Sequence, residues 1–348
     1  MIWIGIDAHK RVHQALALSA DGVLGQKTVA NTAIGWTELL RWASAWPERI
    51  WAVEGSGSLG RGVAQFLAGR GEQVHEVNPR WTAQRRRGLR RPGKSDVLDA
   101  QAVARLLREE GDSLPLVQAE TVISASLQLW SRLRDDLVLD MTRLRNRLHA
   151  LLLLCDPEYK HVIRSLRSRI GIQAARTYTA PGISQLDRVR EQAVRQVAEQ
   201  ITLLMDQERE LRTNIDSSVR QHFHPLLEIA GVQPIVAAGL IAELGTPRPG
   251  FGVPQIAVLA GVAPVEASSA GGVKHRLSRG GNRRLNMLLY LIALAQERAY
   301  APAQAYMARR QQEGRTPREA RRALKRHLVR RIWHQWQACW ATGAPIAT

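Results

Sequence analysis

The sequence predicts an α/β domain followed by a mainly helical remainder, a fold class of α/β plus α. Over roughly the first 111 residues, short apolar runs alternate with amphipathic stretches, the pattern of strands and helices that share one sheet. From residue 118 to 222, apolar residues recur near helical spacing with few turn signals, the pattern of long helices. We therefore expect three segments, at residues 1–111, 112–223 and 224–348.

The first segment predicts a mixed sheet. A three-strand meander comes first, because Asp21-Gly22 is a tight-turn signal between two apolar runs. The later strands alternate with helices, as in parallel βαβ units. The predicted strands are residues 2–7, 12–19, 23–30, 50–54 and 73–77, and the predicted helices are residues 34–46, 59–69 and 96–110. This mixed order matches an RNase H-like sheet.

Four acidic residues lie at positions that are poorly suited to a hydrophobic core. Asp7 ends the first strand and Glu54 ends the fourth, so both emerge at one end of the sheet if these strands are neighbours. Asp96 and Asp99 share one face of a helix that Ser95 can cap. Hard cations take oxygen ligands, and two-metal sites clamp both oxygens of a phosphoryl displacement. The four acids therefore predict a site for Mg²⁺, with two ions, acting on a phosphodiester.

A structural interpretation of these acids remains open. An acid at a strand end is often a turn residue, and Asp96 and Asp99 could complement the dipole of their helix. The joint order of two strand-end acids and a helical acidic pair favours the metal site over either structural role.

The chain is strongly basic, with a net charge of +18 and a pI near 11.1. Such a surface attracts nucleic-acid phosphate. One uncompensated basic run precedes the acidic helix: Arg85, Arg86, Arg87, Arg90, Arg91 and Lys94. Arginine forks match phosphate geometry, so this run predicts a nucleic-acid contact beside the carboxylates, although a solvated loop is the alternative.

The middle segment predicts two long antiparallel helices, the second running from Ser184 to His222. Their leucine stripes indicate a scaffold or dimerisation role, as in a coiled coil. The segment at 226–238 resembles a helix-hairpin-helix, but Gln233 replaces the second hairpin glycine, so a plain helical turn is equally consistent. Farther on, Thr316-Pro317 opens a basic amphipathic helix.

A glycine-rich basic loop spans residues 261–284 and contains Ser268 and Ser269. Serines in such loops are usually linker residues, although an exposed serine with an activator can act as a nucleophile. Basic residues follow that could neutralise a reacting phosphate. They are Lys274, His275, Arg276, Arg279, Arg283 and Arg284.

Cysteine usage and hydropathy indicate a cytoplasmic protein. Cys155 and Cys339 are the two cysteines and support neither a disulfide framework nor a paired-cysteine zinc site. The N-terminus lacks a signal-peptide pattern, and the apolar stretches are too short for a membrane span.

Several motifs in this order resemble the DEDD-type insertion-sequence transposases, a family that includes the bridge-RNA-guided recombinases. They are Ile4-Gly5-Ile6-Asp7, Val53-Glu54-Gly55-Ser56-Gly57, Asn78-Pro79, Lys94-Ser95-Asp96-Val97-Leu98-Asp99-Ala100, and Leu259-Ala260-Gly261-Val262-Ala263-Pro264 with its serine loop. The resemblance covers nearly the whole chain and implies a RuvC-like domain, a coiled-coil segment and a C-terminal transposase domain.

The resemblance also implies a chemistry. Asp7, Glu54, Asp96 and Asp99 would be the Mg²⁺-binding tetrad, and Ser269 would be the nucleophile, with the adjacent Ser268 as the alternate. It implies strand exchange between donor and target DNA through a covalent phosphoserine link. It further implies a homo-oligomer, a dimer or tetramer, and a structured noncoding guide RNA.

Two other functions fit parts of the sequence. A RuvC-like Mg²⁺-dependent endonuclease or junction resolvase would hydrolyse DNA with water and use Ser269 only structurally. A noncatalytic nucleic-acid-binding protein derived from a transposase would bind without metal and cleave nothing.

Overall fold

The structure is a computed structural model that describes residues 1–79, 96–182, 184–247, 250–266, 275–277 and 281–341. The chain divides into two compact units, Met1–Thr121 and Val122–Thr348. The division into three functional segments stays a prediction.

The first unit contains a five-stranded sheet of order β3-β2-β1-β4-β5. Its strands are β1 (Ile2–Ala8), β2 (Val12–Leu18), β3 (Val23–Ala30), β4 (Arg49–Glu54) and β5 (Val74–Val77). Strand β2 pairs antiparallel with both β1 and β3, whereas β1 with β4 and β4 with β5 are parallel. The predicted RNase H-like order, a meander followed by parallel strands, is confirmed.

Three helices accompany the sheet: α1 (Ala33–Ala43), α2 (Arg61–Ala68) and α3 (Asp96–Glu110). Helix α1 begins at the cap Thr32, whose side chain accepts a hydrogen bond from the Gly35 N–H. It ends three residues before the predicted position. Pro47 accounts for this, because the residue before a proline is disfavoured in the helical region and the chain must leave the helix earlier.

The two faces of the sheet pack against different helices. Ile4, Ile6 and Trp51 are fully buried on the face that α1 and α2 cover. On the other face, Ala100 and Ala104 of α3 pack beside β2. Leu106 and Leu107 of α3 are also buried against the sheet. Each fully buried large apolar side chain contributes about 1.5–3 kcal/mol, so all three helices are held firmly to the sheet. Helix α3 is therefore a fixed support for the acids at its start.

The second unit is mainly helical. Its helices are α4 (Val122–Cys155), α5 (Arg169–Arg176), α6 (Gln185–His222), α7 (His224–Leu227), α8 (Pro234–Leu244), α9 (Val253–Leu259), α10 (Arg283–Ala299), α11 (Ala301–Gln312) and α12 (Pro317–Ala341). Two short strands, β6 (Pro264–Glu266) and β7 (His275–Leu277), pair antiparallel.

The two predicted long helices are α4 and α6, and they run antiparallel. Leu127 near the start of α4 clusters with Val219 near the end of α6, whereas Leu148 near the end of α4 clusters with Val194. Helix α5 was not predicted. Its Ser168 cap accepts a hydrogen bond from the N–H of Gly171, so this short helix is capped like a longer one.

Within the part of the chain that the structure describes, none of the helices combines the length and apolar character needed to cross a membrane.

Candidate metal centre and nucleic-acid interface

The parallel pairing of β1 with β4 brings two acids to one end of the sheet. Ile6 lies opposite Val53 in the register, so Asp7 and Glu54 follow side by side where the strands end. Beyond Glu54 the chain turns through Gly55, whose φ of +68° lies in the left-handed region that favours glycine. The strand ends therefore hold both carboxylates at the edge where open α/β sheets place their ligands.

Helix α3 brings the other two acids to Asp7. Asp99 is buried at 4% exposure, whereas the Asp96 side chain is 58% exposed. The charges of Glu54, Asp99 and Asp96 all act on the carboxylate of Asp7. The four acids predicted from the sequence therefore lie close together in the structure, with Asp7 at the centre of the cluster.

His9 belongs to the same cluster and was missed in the sequence. Its Nε2 lies 3.1 Å from Oδ2 of Asp7 and 3.4 Å from Oδ1 of Asp96. The available signal was its position two residues after Asp7, because alternate residues of an extended strand point the same way. His9 bridges the carboxylate of the strand end and the exposed carboxylate of α3.

Asp7 has a raised pKa within this cluster. Burial raises the pKa of the Asp7 carboxyl from 3.8 to about 6; His9 lowers it, and the negative charges of Glu54, Asp99 and Asp96 raise it. Carboxylates forced together in a partly dry site are unfavourable unless a cation neutralises them. The cluster therefore has the electrostatic character of a cation site.

The hydrogen bonding of the cluster also fits a cation. Oδ2 of Asp7 and Nε2 of His9 are buried and, among the described residues, have no hydrogen-bond partner, although the two atoms lie 3.1 Å apart. Ligand atoms of Asp7, His9 and Asp96 all lie within 4.8 Å of one another. Carboxylate oxygens suit Mg²⁺ or Mn²⁺, and an imidazole nitrogen suits transition metals. The residues present fit a divalent ion.

Many of the predicted nucleic-acid and nucleophile residues lie outside the described residues: Arg85, Arg86, Arg87, Arg90, Arg91, Lys94, Ser268, Ser269, Lys274 and Arg279. Ser95, the predicted cap of α3, lies outside them as well. His275 and Arg276 belong to β7, whose backbone pairs with β6. The two serines thus lie in the sequence between two short paired strands.

Arg283 and Arg284, both predicted to bind nucleic acid, differ in their surroundings. Arg283 is exposed at the start of α10. Arg284 is only 21% exposed and forms ion pairs with Asp135 at 2.9 Å and Glu243 at 2.8 Å. It also donates to the Ser131 hydroxyl at 2.8 Å. This engagement favours a structural role for Arg284 that ties α10 to α4 and α8.

We expect Arg284→Met to lower the stability of the second unit by about 2 kcal/mol, because Glu243 and Asp135 lose a charged hydrogen-bond partner. The matched control Arg283→Met removes the same charge from an exposed neighbour and should leave the melting temperature unchanged. Thermal unfolding of the two variants measures the difference. Equal melting temperatures would contradict the structural role.

The mixed sheet and the mainly helical second unit define the class of this chain as RNase H-like plus helical. Residues 4–157 match a family model of the DEDD type of insertion sequence IS110, described as "Transposase". Residues 224–308 match a second model, described as "Transposase IS116/IS110/IS902 family". The chain belongs to this family of insertion-sequence transposases, as the resemblance implied.

Full-length relatives agree with this assignment. The chain is 26% identical to the "Insertion element IS116 uncharacterized 44.8 kDa protein" of Streptomyces clavuligerus, over 95% of this chain and 94% of the relative. It is 25% identical to the "Insertion element IS900 uncharacterized 42 kDa protein" of Mycobacterium paratuberculosis, with the same coverage. It is 24% identical to the "Mini-circle putative transposase for IS117" of Streptomyces coelicolor, over 98% of this chain and 94% of the relative.

Among solved structures, the chain is similar to Thermus thermophilus RuvC. The match to RuvC in complex with a Holliday junction substrate has a TM-score of 0.26 and 16% identity, covering 34% of this chain and 99% of that one. A second RuvC structure matches with a TM-score of 0.27 and 16% identity, covering 34% of this chain and 100% of that one.

Proposed function

We propose that this transposase cleaves and rejoins DNA strands by metal-dependent phosphoryl transfer through a covalent phosphoserine. The observation that carries the proposal is the buried Asp7 carboxylate, whose Oδ2 has no hydrogen-bond partner among the residues that the structure describes and which has three further acids and His9 around it. Such an arrangement is costly for folding alone and is useful for holding cations at a reacting phosphate.

The four acids and His9 have different tasks in the proposed reaction. Asp7, Glu54, Asp96 and Asp99 would hold Mg²⁺, in two ions, and His9 would orient the carboxylates of Asp7 and Asp96. When bound, Mg²⁺ supplies charge neutralisation for the oxygens of the scissile phosphate. The burial of Asp7 and Asp99 keeps water from one side of the site and strengthens the charge interactions there.

Ser269, or its neighbour Ser268, would attack the phosphorus of a DNA strand. One phosphodiester bond breaks as the serine ester forms, and the proton of the serine hydroxyl passes to the departing DNA hydroxyl. Because one ester replaces another, the reverse attack by a DNA hydroxyl can rejoin strands without ATP. We propose that the serine and the acids meet in an assembled homo-oligomer, a dimer or tetramer, with α4 and α6 supplying the dimerisation surface.

The nucleic-acid partners complete the proposal. A net charge of +18 supports binding of donor and target DNA, with affinity that falls steeply as salt rises. We also propose a structured noncoding guide RNA, which the family resemblance supports. Telling RNA from DNA requires contacts to the 2′-hydroxyl, so copurified RNA is the informative observation for this part.

The experiment is a trapping assay with the full chain, Mg²⁺ and end-labelled DNA from the flanks of its own mobile element. Wild-type protein should form a covalent protein–DNA adduct that survives denaturation. Ser269→Ala should abolish the adduct, whereas the matched control Ser268→Ala should retain it; the opposite result would make Ser268 the nucleophile.

Other outcomes assign the rival functions. Nicked DNA with free ends and no adduct would indicate a hydrolytic nuclease or junction resolvase. Metal-independent binding with no cleavage by wild-type protein would indicate a noncatalytic nucleic-acid-binding protein.

A further inference from the structure

A cavity of about 700 Å³ lies within the second unit, among α9, α11 and α12. Its floor is apolar and comes from α9. Val258 of that floor is 62% exposed, although a valine on a helix of a packed unit is normally covered. Val253 and Ala257 line the cavity beside it. The floor therefore offers apolar surface to a ligand.

One wall of the cavity is aromatic. The rings of Tyr306 on α11 and His327 on α12 meet edge to face, with centroids 5.1 Å apart and an interplanar angle of 77°. The guanidinium of Arg309 lies 5.4 Å from the Tyr306 ring centroid. Flat π-systems next to a guanidinium are the surfaces on which unpaired nucleobases stack.

The rim is positively charged. Arg309 and Arg310 come from α11, and Arg326 and Arg330 stand one helical turn apart on α12, where both are exposed. The described residues that line the cavity include no acid, and Glu313 just beyond it pairs with Arg309 and Arg310. Nε of Arg310 is nonetheless buried without a hydrogen-bond partner among the described residues. Glu313 offsets part of the charge of these four arginines, and the positive charge that remains attracts an anion to the cavity.

We propose that this cavity binds an unstacked nucleotide of a single-stranded nucleic acid, with the base on the apolar floor and aromatic wall and the phosphate on the arginine rim. An apolar floor alone would suit many ligands, and a basic rim alone would suit any anion. Their combination selects a ligand that is flat and apolar at one end and anionic at the other. An acidic peptide satisfies the rim but lacks a flat ring for the floor.

The position of the cavity gives the binding a consequence. Ala263 lines it and directly precedes β6, the strand after which Ser268 and Ser269 follow in the sequence. A nucleotide held there fixes a splayed strand next to the start of β6. Binding of a nucleotide in this cavity is separate from strand exchange, since it requires neither the metal site nor the serine.

The test measures how much the bases contribute to binding. The full chain is titrated with a fluorescent single strand of about ten nucleotides and with a strand of equal length and charge whose central residues are abasic. Wild-type protein should bind the intact strand about five- to tenfold more tightly than the abasic strand. Val258→Gln, a change at an exposed position, should reduce that ratio to near unity while the protein stays folded.

Two double variants distinguish binding in the cavity from general electrostatic attraction of nucleic acid to the protein. Arg326→Gln with Arg330→Gln should weaken binding and should reduce the ratio of the affinities for the intact and the abasic strand. Arg318→Gln with Arg322→Gln removes the same charge at the same spacing on α12 outside this cavity, and should weaken both strands equally and keep the ratio.

Two results would overturn the inference: equal binding of intact and abasic strands by wild-type protein, or loss of the ratio in the Arg318 and Arg322 variant as well. Displacement of the strand by polyglutamate at equal charge concentration would assign the cavity to acidic peptides instead. If wild-type protein forms no covalent adduct in the trapping assay but still binds the intact strand more tightly than the abasic strand, then the proposed chemistry is rejected and the nucleotide site is retained.

Discussion

Asp7→Asn is expected to reduce DNA strand cleavage by about a thousandfold or more while making the metal-free first unit more stable. The loss of activity follows because Asp7 is the buried acid at the centre of the cluster, and a metal ligand supplies several kcal/mol to the transition state. A neutral amide of nearly the same shape removes the charge without opening a cavity.

The gain in stability follows from the pKa. The Asp7 carboxyl titrates at about 6 in the folded chain against 3.8 ordinarily, so folding disfavours its ionised form by up to about 3 kcal/mol. That penalty is fully present above pH 6 and fades as pH falls toward 3.8. The advantage of Asp7→Asn should therefore be largest at neutral pH and should vanish in acid.

Thermal unfolding with and without Mg²⁺ measures both effects. Without metal, Asp7→Asn should melt above wild-type protein at pH 7. Mg²⁺ at a hundred times its dissociation constant should stabilise wild-type protein by about 2.7 kcal/mol and raise its melting temperature accordingly. The melting temperature of the variant should barely change. Equal Mg²⁺ shifts in the two proteins would contradict the role of Asp7, whatever the activity.

Gly5→Ala is expected to destroy metal binding although it changes none of the acids. A Cβ on Gly5 would stand 2.3 Å from the Ala100 carbonyl oxygen and 2.3 Å from the Ala104 nitrogen. Both contacts are backbone atoms of α3, so neither can rotate away. The helix must move off β1, which costs about 3 kcal/mol or more and carries Asp96 and Asp99 away from Asp7.

Gly25→Ala is the matched control. Gly25 also lies in a strand of the sheet, but a Cβ there meets its nearest neighbour, the Trp42 ring, at an ordinary 3.6 Å. Unfolding and Mg²⁺ titration should show a large loss for Gly5→Ala and little change for Gly25→Ala. If Gly5→Ala binds Mg²⁺ as wild-type protein does, then the close approach of α3 to β1 does not position the acids.

Local patterns were sufficient to predict most of the fold. Strand periodicity and the Asp21-Gly22 turn located the meander, and Thr316-Pro317 located the start of α12, because these signals act over a few residues. Helix α5 was missed because eight residues are too few for a clear helical period.

The acids were visible because strand ends and helix starts can be recognised locally. Their convergence depended on the pairing of β1 with β4, which the predicted strand order made available. His9 was missed because a single histidine after a strand has many ordinary uses. The ion-pair partners of Arg284 could not be predicted from the sequence, because Asp135 lies 149 positions away and only tertiary packing brings the two residues together.

A crystal structure of the chain grown with Mn²⁺, which stands in for Mg²⁺ and scatters anomalously, tests the metal site most directly. We expect anomalous density at the end of β1, with an ion about 2.1 Å from Oδ2 of Asp7 and further ligands from the surrounding acids. Well-ordered Asp7, Asp96 and Asp99 side chains with no anomalous density between them would contradict the metal site.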